Sequence, residues 1–375
     1  MKKLLILTNF FKPGFMAGGP IKSIDLICKN LKDNFDILVV TSSKDLGSNK
    51  NYDGVQLDKI ITSDGYKTIY LSKYNIFHIL FQIKEFKPNF LYLNSLFALQ
   101  NIYLFLLNRF IKLPKIILAP RGEISINSLK IKKLKKKITL WIFKILKIMS
   151  DIDFQATDKF EANFLKETFP KNDITIIENF VAEVNKPYKE AKNIDHINMC
   201  FASRISKKKN LKFALKILNH ERLCNYKLNL DIWGPIEDYA YWKECEDIIV
   251  KLPKNTIVKY MGTYTPLNQS SKLSNYQLLI LPTLNENFGH IIFESMQLGI
   301  VPLISNNTPW TEINKLGAGS FNLDDEHKFI NYLIKFAQLD DKNFSKVSEM
   351  IVQYACKKSN KKATKEKYIS FFNEK

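Results

Sequence analysis

Histidine and cysteine are both scarce, at five each in 375 residues. Cys28, Cys200, Cys224, Cys245 and Cys356 are scattered and form no Cys-x-x-Cys pair. A zinc ribbon, a redox pair and a disulfide scaffold are therefore excluded, and a reducing cytoplasm fits. His78, His196, His220, His290 and His327 have no metal-ligand spacing, so no metal and no cofactor is expected. Acidic residues are in deficit: 37 Asp and Glu stand against 56 Lys and Arg, giving +19. Anionic partners are expected from that balance, whether phosphorylated small molecules, an acidic membrane or nucleic acid. Long hydrophobic runs are missing too. The uncharged stretch from Pro88 to Asn108 is broken by Asn89, Asn94, Ser95, Gln100 and Asn101, each costly in lipid. The opening Met1-Lys2-Lys3-Leu4-Leu5-Ile6-Leu7-Thr8 is too short for a signal h-region and reads as a buried strand.

What is present is alternation. Hydrophobic residues make up 46% and charged residues 25%, a globular balance, and the length suits about two domains. Short apolar runs read as strands at 4–8, 37–41, 68–71, 90–93, 116–119, 154–156 and 174–177. Helical patterns separate them at 21–31, 76–86, 99–110, 128–149 and 159–169. The pattern restarts with strands at 197–202, 228–233, 256–260, 278–281, 301–304 and 320–323. Helices are expected there at 210–220, 238–252, 288–298, 309–315 and 327–338. Such alternation implies βαβ units, hence an α/β protein of two doubly wound, Rossmann-like parallel-sheet domains with an interdomain cleft. The seam falls in the polar stretch 181–195, which gives domains of 1–182 and 183–359. The Lys-rich tail reads as a polar terminal helix, 360–375, placed back on the first domain.

The richest segment runs from Leu281 to Glu294. A buried strand leads into a loop holding Glu286, then Asn287, Phe288 and Gly289, then a helix with Glu294. A glycine lets ligand approach backbone, helix-start amides suit anions and hydroxyls, and two carboxylates could grip a polyol. From these properties alone, solvated charges are as good a reading. Asp151-Ile152-Asp153 precedes a strand, so a loop or capping role is expected rather than a metal site.

Glu286-x7-Glu294 with Asn287-Phe288-Gly289 resembles the signature of retaining glycosyltransferases of family 4. Arg204 to Asn210 is similar to that family's Arg…Lys-Gly segment, and Gly18-Gly19 to its glycine loop. Thr308-Pro309-Trp310-Thr311-Glu312 and Ala119-Pro120-Arg121-Gly122-Glu123 also resemble family segments. Two positions depart: Ser203 and Asn210 stand where many members have Gly. The resemblance implies a GT-B fold and a metal-independent enzyme of the hexosyltransferase type. It would move a sugar with retention from a nucleotide sugar to a glycan or lipid-linked acceptor in bacterial surface polysaccharide synthesis. It implies donor contacts at Gly18, Gly19, Arg204, Lys209, Glu286, Asn287, Phe288, Gly289 and Glu294. Arg204 and Lys209 would meet the charge growing on the diphosphate, Glu286 the sugar, and Glu294 the ribose. Arg121 and Glu123 fall on the acceptor side. No protein nucleophile is implied.

Residues 129–149 form a basic amphipathic pattern. Six Lys lie within 130–137, and Ile131, Leu134, Ile138, Trp141, Ile145 and Ile148 recur at helical spacing. The apolar stripe is expected on the sheet, with the Lys face in solvent or docked on anionic lipid at the inner face of the cell membrane. A nucleotide-sugar epimerase on the same scaffold is an alternative. A nucleic-acid-binding protein ranks lower, because no helix-turn-helix, zinc finger or RNP-like motif occurs.

Overall fold

The computed structural model describes residues 1–123, 133–182, 191–264 and 268–374, with 133–137 as backbone only. Residues 183–190 of the expected seam and 129–132 of the basic segment lie outside the described residues. The chain divides into two compact units, Met1–Phe180 with Lys361–Lys375, and Val181–Asn360.

The first unit is an eight-stranded sheet. Its strands are β1 (Lys2–Thr8), β2 (Phe35–Ser42), β3 (Ile60–Ser63), β4 (Tyr66–Leu71), β5 (Phe90–Asn94), β6 (Lys115–Ala119), β7 (Ile152–Ala156) and β8 (Ile174–Ile176). Their order is β3-β4-β2-β1-β5-β6-β7-β8. All described pairings are parallel except β3 with β4. β1 and β5 are apolar on both sides because helices cover both faces of the sheet. One face packs on helices Ile76–Phe86, Leu99–Leu107, Lys133–Ile145 and Lys159–Thr168. The other packs on helix Gly19–Leu31 and the terminal helix Lys361–Glu374. Asn75 and Asp158 cap two of these helices through side-chain bonds to the amides of His78 and Glu161.

The second unit holds β9 (His196–Ala202), β10 (Lys227–Trp233), β11 (Thr256–Gly262), β12 (Leu278–Leu281), β13 (Val301–Ser305) and β14 (Gly319–Phe321). The order is β11-β10-β9-β12-β13-β14, all parallel. The chain reverses its direction of winding between β9 and β12, where such sheets present loops to ligands.

Several expectations need correction. Strand β3 is not among the expected strands: its apolar pair Ile60-Ile61 is too short a run to stand out, and its side chains are mostly exposed. Helix Asp341–Lys358 is equally silent: its first half is polar, and few of its residues are buried. The segment after Trp310 is a 3-10 helix, Thr311–Leu316. The terminal helix is not simply polar, because Tyr368, Phe371 and Phe372 are buried against the first sheet. Asp153 is neither a loop nor a capping residue. It lies inside β7, buried, and pairs with Lys115 at 3.0 Å.

The basic helix differs most. Its stripe Ile138, Trp141 and Ile145 faces solvent, at 49%, 63% and 55% exposure. Leu140 and Phe143 take the core side instead, and of the expected stripe Ile148, beyond the helix, is buried as expected. The segment therefore carries two apolar faces, and periodicity alone does not say which one meets the sheet.

Candidate active site

The second unit gathers its charged motif residues at the carboxyl ends of three adjacent strands. Leaving β9, the Ser203 amide donates to the Trp233 carbonyl at 2.9 Å, and the Ile205 amide to that of Pro235 at 2.8 Å. These bonds hold the Arg204 segment against the end of β10. The approach is so close that a Cβ on Gly234 would lie 2.0 Å from the Ser203 carbonyl oxygen. Arg204 Nη1 pairs with Glu237 Oε2 at 2.9 Å, and both side chains are partly exposed.

The loop then turns at Ser206–Asn210. Asn210 adopts φ 60° and ψ 42° ahead of helix Leu211–Leu218. That left-handed conformation explains the family's frequent glycine here, and Asn is the side-chain-bearing residue that tolerates it best. The turn directs Lys209 to Glu286, and the two side chains form an ion pair at 13% and 11% exposure.

Backbone bonds fix the loop after β12 to both neighbours. The Leu284 amide donates to the Lys208 carbonyl at 2.8 Å, as does Thr283 Oγ1 at 3.1 Å. The Glu286 amide donates to the Asn307 carbonyl, beyond β13, at 3.0 Å. Asn287 lies between these ties and Gly289, partly buried. Gly289, at φ 74°, precedes helix His290–Gln297 and has no side chain to cap the helix amides. Phe288 packs in an aromatic group, 5.2 Å from Trp310 and 4.8 Å from His290 between centroids. Trp310 Nε1 donates to the Phe288 carbonyl. Glu294, one turn into the helix, is 3% exposed and accepts a bond from Gln269 Nε2.

The structure thus pairs Lys209 with Glu286 in the loop that holds Asn287, Phe288 and Gly289, while Arg204 leaves β9 paired with Glu237 and Glu294 lies one turn into the following helix, bonded to Gln269. Such a set can offer two cations to phosphate oxygens, and carboxylates and amides to hydroxyls. Glu237 and Gln269, the partners of Arg204 and Glu294, escape sequence reasoning, since their distant contacts leave no local signal.

Gly18 and Gly19 belong to the first unit, after β1. Gly18, at φ 66° and ψ −120°, opens helix Gly19–Leu31 without a side-chain cap, and Pro20 occupies the first turn. Asp45 holds the preceding loop by accepting the amides of Phe15 at 2.9 Å and Met16 at 3.2 Å. Tyr70 and Tyr74 donate their hydroxyls to the carbonyls of Lys12 and Thr8.

Arg121 and Glu123 follow β6 and are engaged internally. Arg121 donates to the Tyr92 hydroxyl at 2.9 Å, to Asn94 Oδ1 at 3.2 Å and to Asn179. Glu123 accepts from Ser95 Oγ and the Leu96 amide, both at 2.7 Å, and from the Phe97 amide. Between them, the Gly122 amide donates to Glu161 at 2.6 Å. Burial raises the Glu161 carboxyl above its ordinary pKa, against the bonds it accepts from Gly122 and Thr157. Among the described residues, no group of three or more His, Cys, Asp or Glu could hold a metal ion.

Residues 185–358 match the family model described as glycosyl transferases group 1. No curated protein matches the chain. Solved structures do. Sucrose-phosphate synthase from Thermosynechococcus elongatus superposes with a TM-score of 0.79 at 11% identity, covering 100% of this chain and 99% of that one. Anabaena HepE in complex with UDP-glucose gives 0.75 at 13% identity, covering 100% of both. WaaG, a glycosyltransferase involved in lipopolysaccharide biosynthesis, gives 0.67 at 13% identity, covering 98% and 99%.

Proposed function

From the match of residues 185–358 to the glycosyl transferases group 1 model and the GT-B fold of the chain, we propose that this protein transfers a sugar from a nucleotide sugar. We assign a nucleoside diphosphate sugar as donor, uridine diphosphate first, because the structural neighbour HepE forms a complex with UDP-glucose. The acceptor is a glycan or lipid-linked glycan of bacterial surface polysaccharide, in keeping with the involvement of the neighbour WaaG in lipopolysaccharide biosynthesis. In this reading the enzyme attaches peripherally to the inner face of the cell membrane.

The observation that carries the proposal is the Lys209–Glu286 pair next to the open helix start at Gly289, with Arg204 on the same loop as Lys209 after β9. Breaking the bond from the sugar to the donor phosphate leaves negative charge on the diphosphate. Cations fixed where that charge develops lower the barrier most. Arg204 offers a planar fork and Lys209 a point charge. When phosphate competes for these cations, Glu286 is released to accept the sugar hydroxyls, with the amides of 287–289 beside it. Buried Glu294 accepts from the ribose. We assign no protein nucleophile and no metal. Retention follows a front-face route, in which a donor phosphate oxygen takes the acceptor proton as the new bond forms. Gly18 and Gly19 present helix-start amides to the donor. Arg121 and Glu123 act on the acceptor side as positioning residues. No observation among the described residues favours the epimerase or nucleic-acid readings.

The test is thermal denaturation with a panel of nucleoside diphosphates and their sugars. At about 100 Kd of ligand, stabilisation of roughly 2.7 kcal/mol is expected for one base, and Glu294→Ala abolishes it. No shift with any member overturns the proposal.

A further inference from the structure

Half of the large apolar side chains exposed on the described residues lie between Phe77 and Phe160, on one helical layer of the first unit. That layer consists of helices Ile76–Phe86, Leu99–Leu107, Lys133–Ile145 and Lys159–Thr168, which send their inner faces into one shared core. Their outer faces repeat at helical spacing. Phe77 and Phe81 are one turn apart, at 78% and 58% exposure, while Ile79 and Ile83 on the opposite side are buried. Leu99 and Tyr103 repeat the pattern on the next helix, and Trp141 and Ile145 on the third. Phe110, 85% exposed, and Ile111 project from the turn after Leu107. That turn and Asp151 line an open concavity of about 480 Å³, which also carries Arg109, Lys112 and Lys115.

An exposed apolar face of this kind calls for a partner. Charge decides which. Among the described residues of 76–169, eight exposed Lys and Arg stand against three exposed Asp and Glu. The centres of protein interfaces are depleted of Lys, so a second copy of this chain fits poorly. Aromatic rings interleaved with Lys and Arg suit the boundary of a bilayer. The rings enter the acyl edge, the long side chains reach up to headgroups, and anionic lipid answers the charge.

We propose that the outer face of this layer, centred on Trp141 and Ile145 with Phe77, Phe81 and Phe110, inserts into the interface of an anionic bilayer. The contact is apolar first and electrostatic second. It rests on the peripheral attachment in the proposed function, gives that attachment a surface, and is independent of the donor chemistry. No helix among the described residues is long and apolar enough to cross a membrane, so the attachment lies in the interface plane.

The experiment is vesicle flotation of the full chain with phosphatidylcholine vesicles, with and without phosphatidylglycerol, at low salt and at about 1 M, where exposed charges are screened. Wild type is expected to float with anionic vesicles at low salt and to keep a measurable bound fraction at high salt. The W141S/I145S variant is expected to partition at least roughly tenfold less under both conditions. Both side chains are exposed, so folding is spared, and an unchanged melting shift with UDP checks both the fold and the donor site. Quenching of Trp141 fluorescence by brominated acyl chains, lost in Trp141→Phe while flotation persists, is the expected sign of insertion. Three results overturn the proposal: wild type does not float; the variant floats as well as wild type and salt abolishes both; or the variant halves the solution mass by light scattering, which makes a second copy the occupant.

Discussion

Lys209 and Glu286 lie 77 positions apart in the chain, yet their side chains meet as a largely buried ion pair between the loops after β9 and β12. Each satisfies the other at low exposure, so removing one leaves the other's charge poorly solvated. Lys209→Met is expected to lower turnover by about 10²–10³ if the ammonium faces the diphosphate in the transition state. The same substitution should cost about 1–3 kcal/mol of stability, because Glu286 loses its partner. Steady-state kinetics with urea unfolding separates the two effects. An unchanged turnover with lowered stability would show the pair to be structural.

Glycines at positive φ make a second test. A Cβ on Gly289 would strain its φ of 74° and approach Ile292 Cδ1 to 2.9 Å. Gly289→Ala is expected to cost about 1–2 kcal/mol and to weaken donor binding, because the methyl group stands beside the helix-start amides. Gly18→Ala meets nothing within 4 Å, so only its backbone conformation is penalised, by about 1–3 kcal/mol. Calorimetric titration with UDP tells a blocked approach from a merely strained loop.

Much of this site is legible in the sequence because its residues sit at sheet ends. Runs such as Leu278–Leu281 announce a strand, and the segment after a strand in a doubly wound unit is a ligand loop. Asn210 is legible as a substitute for glycine, but its φ of 60° supplies the reason. The partners are not legible. Glu237 reaches Arg204 and Gln269 reaches Glu294 only through the fold. The Trp141 stripe faces the opposite way from the expectation because a helix with apolar residues on both sides offers no preference to a periodicity argument. Arg121 illustrates a third limit. Its place in a loop motif suggests an acceptor contact, and only the fold shows that Tyr92, Asn94 and Asn179 accept from its Nη2, Nε and Nη1.

The terminal helix gives a third prediction. Phe372 is fully buried, with ring centroids 5.3 Å from Phe35 and 5.4 Å from Phe90. Tyr368 stacks on Phe180 at 5.2 Å. The last turns of the chain thus complete the core of the first unit, although their sequence is rich in Lys. Phe372→Ala is expected to destabilise by about 3–5 kcal/mol, read as a lower urea midpoint. Lys367→Ala, on an exposed position of the same helix, should change stability by less than about 0.5 kcal/mol.

Acid should loosen the glycine loop before the rest of the first unit. Asp25, on helix Gly19–Leu31, receives Lys29 at 2.7 Å, the Tyr66 hydroxyl at 2.7 Å and Lys12 at 3.0 Å. Burial alone would raise its carboxyl pKa, but Lys29, Tyr66 and Lys12 together outweigh burial and hold it below the ordinary aspartate value. With the folded pKa depressed, the unfolded chain binds the proton first as pH falls. The contribution of Asp25 is therefore complete above about pH 4 and is lost as pH drops through its folded pKa. Wild type should exceed Asp25→Asn by about 1–2 kcal/mol near neutrality, and the gap should close toward about pH 3 and below. Lys12 lies in the loop that leads to Gly18 and also pairs with Asp64, whose carboxyl it likewise holds below the ordinary value, so acid that protonates both carboxylates releases the Lys12 side chain. Hydrogen exchange at the amides of residues 12–18 is expected to quicken over the same pH window once the intrinsic pH dependence is removed. A gap that stays constant with pH would mean that Asp25 stabilises the helix by position alone, through contacts that do not need its charge.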